Sequence, residues 1–155
     1  VFGAIAERFG EFGIDTAADE HNHLCECWMS DALHIEWGYR NWCNPPFGDI
    51  TPWVRKAASW VPRGHTIMLT PSNAASAWFR LASSSATLIL PSRRIQFWHP
   101  DEEPGSPDRD TVIWWFGGPP RTVDEIEIPE HSAEVRRLCE EASGQLSLAP
   151  QGSLL

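Results

Sequence analysis

Basic side chains are scarce in this chain of 155 residues: 12 Lys and Arg stand against 21 Asp and Glu, a formal net charge of −9. A broadly positive surface of the kind that grips phosphate by mass of charge is therefore excluded. Any basic surface has to be local. No run of apolar residues approaches membrane-spanning length, so no membrane partner is expected. No secretory leader is visible. Of only four Cys, three fall within 25–43, which does not resemble a secreted disulfide framework and points to the cytoplasm. An initiator Met is missing, and Val1-Phe2-Gly3-Ala4-Ile5 reads as if it starts inside a helix, so a fragment or a lost beginning is expected. No internal repeat is present.

Aromatic material is plentiful. Nine Trp and seven Phe, with 42% hydrophobic residues, supply the core of one domain. Charge is uneven along the chain. Acids gather at 101–110 and 124–141, whereas Arg55, Lys56, Arg63, Arg80, Arg93 and Arg94 have no acid between them.

Phe2, Ile5, Ala6 and Phe9 have helical spacing, closed by Gly10. Phe12 to Asp15 reads as a short buried strand ending in an acid, and Arg40 to Cys43 as a second. Residues 16–41 between these strands read as irregular. Thr51 and Pro52 suit the start of a helix whose apolar face is Trp53, Val54, Ala57 and Trp60. His65 to Leu69 is a third strand. A helix is expected from Ser72 or Asn73, with Ala74, Trp78 and Leu81 on one side, then a strand from Ala86 to Leu90. Ile95 to Trp98 and Thr111 to Phe116 read as an antiparallel hairpin around a long loop. The alternation predicts an α/β fold with a parallel sheet and a C-terminal antiparallel hairpin. Residues 1–117 form the expected domain, and 118–155 an appendage with one short amphipathic helix around Val135, Leu138 and Cys139 and a loose tail.

Asn44-Pro45-Pro46-Phe47 carries the chemistry. The Asn oxygen and the first Pro carbonyl can accept from the two N–H groups of a planar exocyclic amine. The second Pro stiffens the turn, and the Phe ring offers a stacking face. A base inside a duplex reaches such a pocket only by flipping out. In parallel sheets ligands bind at the carboxyl ends of strands, so Asp15 and Asn44 share one crevice if their strands are neighbours. A plain Pro-Pro turn and an Asp turn residue remain the alternatives.

Several blocks, in order, resemble the phage-type DNA N-6-adenine methyltransferases over roughly residues 2–117. They are Phe12-Gly13-Ile14-Asp15-Thr16-Ala17-Ala18, Asn22-His23-Leu24-Cys25, Asp31-Ala32-Leu33 with Trp37, and Trp42-Cys43-Asn44-Pro45-Pro46-Phe47-Gly48 with Pro52-Trp53-Val54. Met68 to Pro71, Trp78-Phe79 and Arg94 to Phe97 follow. The resemblance implies an abbreviated Rossmann-like methyltransferase fold, S-adenosylmethionine as donor, and double-stranded DNA as partner. It implies that Asn44, Pro45, Pro46 and Phe47 hold and stack the adenine and that Asp15 and Ala17 line the donor site. Thr16-Ala17-Ala18-Asp19 stands where methyltransferases usually carry a Gly-rich turn.

Alternatives stay open: methylation of cytosine N4, RNA adenine or a protein amide, or an inactive phage accessory protein. Arg93, Arg94 and Lys56 are the expected DNA contacts, with a solvated edge-strand pair as the other reading of the two arginines. His21, His23, Cys25 and Cys27 alternate, which points them one way along a strand and does not close a metal tetrahedron, so no metal is expected. Adjacent Trp114 and Trp115 must face opposite sides, which places one of them outside the core. A homodimer face is possible in so small and Trp-rich a domain.

Overall fold

The computed structural model describes residues 1–95 and 110–128. Among the described residues three helices flank one seven-stranded sheet: α1 (Phe2–Phe9), β1 (Ile14–Asp15), β2 (Cys27–Trp28), β3 (Arg40–Cys43), α2 (Thr51–Trp60), β4 (His65–Pro71), α3 (Ala77–Ser85), β5 (Thr87–Pro91), β6 (Thr111–Phe116) and β7 (Thr122–Ile126). The sheet order is β2-β1-β3-β4-β6-β5-β7. The pairs β1–β2, β1–β3, β3–β4 and β5–β7 are parallel. β6 runs antiparallel to both its neighbours, β4 and β5. The chain is thus mixed α/β, with a mostly parallel sheet.

Adjacent residues of the central strands supply two cores because strand side chains alternate faces. Cys43, Met68 and Trp114 join Val54, Ala57 and Trp60 of α2 and Ala82 of α3 on one face. Trp42, Ile67 and Ile113 join Ile5 of α1 on the other. A strand buried on both faces reads as a continuous apolar run, as in Ile67-Met68-Leu69. Trp114 is fully buried and its Nε1 donates to Thr70 Oγ1 at 2.8 Å. Trp115 faces the other way and packs on Phe9 of α1, ring centroids 5.2 Å apart, so it closes the second core. Gly64 ends the α2–β4 turn, where an added Cβ would sit 2.6 Å from the Tyr39 carbonyl oxygen.

Several expectations need correction. α3 starts at Ala77, not at Ser72 or Asn73, because Ser76 takes the N-cap and its Oγ accepts from the Phe79 amide at 3.3 Å. Ala74 lies before the helix and is exposed. At α2, Ile50 holds the N-cap without a side-chain cap, and Thr51-Pro52 form the first turn. β2 lay in the segment expected to be irregular; its two exposed residues carry no alternation to read. β6 enters the sheet between β4 and β5, so its hydrogen-bond partners are those strands rather than Ile95 to Trp98. Ile95 is buried outside any strand, and residues 96–98 lie outside the described residues. β7 extends the same sheet, and the helix expected around Leu138 lies outside the described residues.

One backbone conformation stands out. Arg121, just before β7, has φ +61°, and its amide donates to the Ala86 carbonyl at 3.2 Å. A non-Gly residue in this left-handed region costs on the order of 1 kcal/mol.

Candidate functional site

The sheet order makes β1 and β3 neighbours, and β1 is followed in sequence by β2 on its far side. The segments leaving β1 and β3 therefore diverge, which opens a crevice at their carboxyl ends. A cavity of about 560 Å³ sits there, within the range of ligand pockets. Ala17, Ala18 and Asp19 line it after β1, Ser30 after β2, and Asn44, Pro45, Pro46 and Phe47 after β3. Asn22 and Trp53 complete the wall.

Thr16 ties the two sides together. Its amide donates to the Trp42 carbonyl at 2.9 Å, and its hydroxyl donates to the same oxygen at 3.0 Å. Thr16 is fully buried. The donor pair fixes the end of β3 two residues before Asn44.

Asp15 is buried beneath the loop rather than on the cavity wall. Its Oδ1 accepts from the Ala17 amide at 3.3 Å and its Oδ2 from the Leu24 amide at 3.1 Å. Burial pushes its pKa up, opposed by those two amides and by His23. The carboxylate thus shapes the 16–24 loop, and Ala17 presents that loop to the crevice. Burial also pushes the Cys43 thiol up to about 12, and the Cys25 thiol up to about 11.

Asn44 has the most telling environment. Among the described residues its side-chain oxygen is buried without a hydrogen-bond partner, as are Asn41 Oδ1, Trp42 Nε1, His65 Nδ1 and Thr111 Oγ1, and of these residues only Asn44 lines the crevice. Buried acceptors are nearly always satisfied, and an unmet one costs free energy. Here the orphan acceptor belongs to a residue that lines the crevice. Beside it Pro45 is buried, whereas Pro46 and Phe47 are exposed at the rim.

The three expected DNA contacts lie elsewhere. Lys56 Nζ donates to the Ile35 carbonyl at 2.8 Å and stands over the Trp60 and Trp37 rings. Arg94 forms an ion pair with Asp110 at 2.9 Å. Arg93 is exposed next to it. Internal partners therefore occupy the cations of Lys56 and Arg94. Of the His and Cys of 21–27, His23 Nδ1 bonds the Cys25 carbonyl at 2.9 Å and its ring stacks on Trp28, while His21 and Cys27 are exposed. Cys25 points into the second core.

A profile of the DNA N-6-adenine-methyltransferase (Dam) family matches residues 1–112. The chain belongs to this family. A DNA N-6-adenine-methyltransferase of Escherichia phage T1 is 32% identical over 96 residues, covering 58% of this chain. The match spans 40% of that relative's length. No solved structure matches the chain. The family match contains both sides of the crevice, from Thr16 to Phe47 and on to Trp53.

Sequence reasoning missed Ala18, Asp19, Asn22, Ser30 and Trp53 as parts of the wall. Trp53 lies on the apolar face of α2 and serves both, being 9% exposed. Asp19 and Ser30 come together only through the parallel pairing of β1 with β2, which a two-residue strand does not announce.

Proposed function

We propose that this chain methylates the N6 of an adenine flipped out of double-stranded DNA, with S-adenosylmethionine as donor. The observation that carries the reading is the buried, partnerless oxygen of Asn44 in the crevice of a Dam-family chain. An exocyclic amine brings the donor that this oxygen lacks. The Pro45 carbonyl accepts the second N–H, and the Phe47 ring stacks on the base. Pro at positions 45 and 46 limits motion of the turn, so the acceptors are held before substrate arrives.

The donor half of the crevice belongs to the loop after β1. Ala17 and Ala18 give a close, smooth wall, and Asp15 holds that loop in place. S-adenosylmethionine, when bound, supplies a methyl group already activated by its sulfonium. The chain therefore has no need of a strong base. Its task is to bring the amine into line and to favour a pyramidal nitrogen through the two acceptors.

The test is incubation of the protein with labelled donor and duplex DNA, followed by mass spectrometry of the nucleosides. N6-methyladenine that disappears in Asn44→Ala supports the proposal. Methyl label on cytosine, on RNA or on a protein amide instead would replace it with another planar-amine acceptor. Donor binding without transfer to any of these would leave an accessory role.

A further inference from the structure

A second groove, of about 460 Å³, runs along α3 and over the β5–β7 edge of the sheet. Its upper end is Ala74, in the segment that follows the carboxyl end of β4. β4 is the parallel neighbour of β3, so Ala74 lies on the rim of the crevice, whereas Leu88, Arg121 and Thr122 lie toward the amino ends of β5 and β7. Phe79, Leu88 and Val123 form an apolar floor, and Leu88 and Val123 are register partners in the sheet. Arg80 from α3 and Arg121 from the turn before β7 stand at its sides, both exposed.

Three observations set this groove apart. Among the described residues no Asp or Glu lines it, in a chain of net charge −9, and Glu125 stands two residues beyond Val123 on β7. Among the described residues neither arginine has an ion-pair partner, whereas Arg8 pairs with Asp124 and Arg94 with Asp110. Arg121 is held in the left-handed region, a conformation that Gly or Asn would adopt more easily, and such outliers gather at functional sites. The larger cavity at the amino ends of β1 to β3 differs: Glu11 and Glu26 line it with Arg40, so it favours no anion.

We propose that this groove holds the phosphate backbone of the DNA substrate, with Arg80 and Arg121 as its two cationic contacts. This rests on the DNA-methyltransferase reading of the crevice. An acidic protein that binds DNA has to concentrate its attraction in one place. Two guanidiniums in a groove lined by no described carboxylate do so, and the apolar floor suits the sugar faces between phosphates.

The experiment is the salt dependence of duplex binding by fluorescence anisotropy, for the wild-type chain and for Arg80→Gln/Arg121→Gln. Each lost phosphate contact flattens the slope of log affinity against log salt by about 0.9. The double variant is expected to bind more weakly at low salt, with a slope shallower by about 1.8. Arg80→Lys/Arg121→Lys keeps both charges and is expected to keep the slope. Donor titration serves as the folding control and is expected to be unchanged in both variants. A wild-type slope in a Gln variant that still binds donor would overturn the proposal while leaving the crevice reading intact. Absence of duplex binding by the wild-type chain would overturn the DNA reading itself and the groove with it.

Discussion

Thr16 and Trp42 are joined twice: the amide and the hydroxyl of Thr16 both donate to the Trp42 carbonyl, at 2.9 and 3.0 Å. The first bond is what two parallel strands require. The second is a side-chain addition that clamps the loop after β1 to the strand leading into Asn44. Removing only the hydroxyl, in Thr16→Val, is expected to cost about 1 kcal/mol in urea unfolding. Thr16→Ser is expected to lie close to wild type. Equal stability of Val and Thr would show that the second bond contributes nothing.

Asn44→Ala is expected to separate stability from activity. The Asn44 oxygen has no partner in the free protein, so its removal leaves melting temperature unchanged or slightly higher. Methyl transfer, by contrast, is expected to fall by about 10²- to 10³-fold, the usual loss for one positioned hydrogen-bonding group at a reacting centre. Calorimetric donor binding by the same variant is expected to match wild type. A strongly destabilised Asn44→Ala would contradict the orphan assignment.

Asp15 gives a pH signature. Its folded pKa is raised above the ordinary 3.8 by burial. The stability it contributes is complete below 3.8 and is lost as pH rises through the raised folded value. Asp15→Asn lacks this loss, so the melting temperature of the variant relative to wild type is expected to climb with pH over that window. Thermal melts of the pair from acid to neutral pH measure it. A constant difference would mean that Asp15 titrates alike in both states.

Gly64→Ala tests the packing of the α2–β4 turn. The new Cβ would meet the Tyr39 and Gly38 carbonyl oxygens at 2.6 and 2.8 Å, and neither is the far end of a flexible side chain. A loss of about 1–3 kcal/mol is expected in denaturant unfolding. Gly48→Ala, where nothing lies within 4 Å, is the control expected to be neutral.

Thiol chemistry separates the described cysteines. Cys43 and Cys25 are buried with thiols pushed up to about 12 and about 11, whereas Cys27 is exposed on β2. Alkylation at neutral pH, mapped by peptide mass, is expected to label Cys27 far faster than the other two. Rapid labelling of Cys43 would indicate that the core under α2 opens.

Much of this protein was legible along the chain because local signals carried it. Helical spacing from Phe2 to Phe9 marks α1, and a run from His65 that buries both faces marks β4. Pro52 in the first turn marks α2. Asn44-Pro45-Pro46-Phe47 displays an amide oxygen, a carbonyl and a ring, from which the proposed amine pocket is built. Tertiary structure decided what depends on distant partners. Only the folded 16–24 loop buries Asp15 away from the cavity and brings Ala17 to it, because the carboxylate finds the Leu24 amide nine residues on. Strand alternation sends Trp114 and Trp115 to opposite faces, but only α1 packing on the second face gives Trp115 a core instead of leaving it outside one. The same holds for charge: Lys56 and Arg94 read as free cations in the sequence, and the fold gives each an internal partner while leaving Arg80 and Arg121 together beside one groove. Residue type sets what a group can bind, but burial and neighbours far along the chain set which groups are still available to bind it.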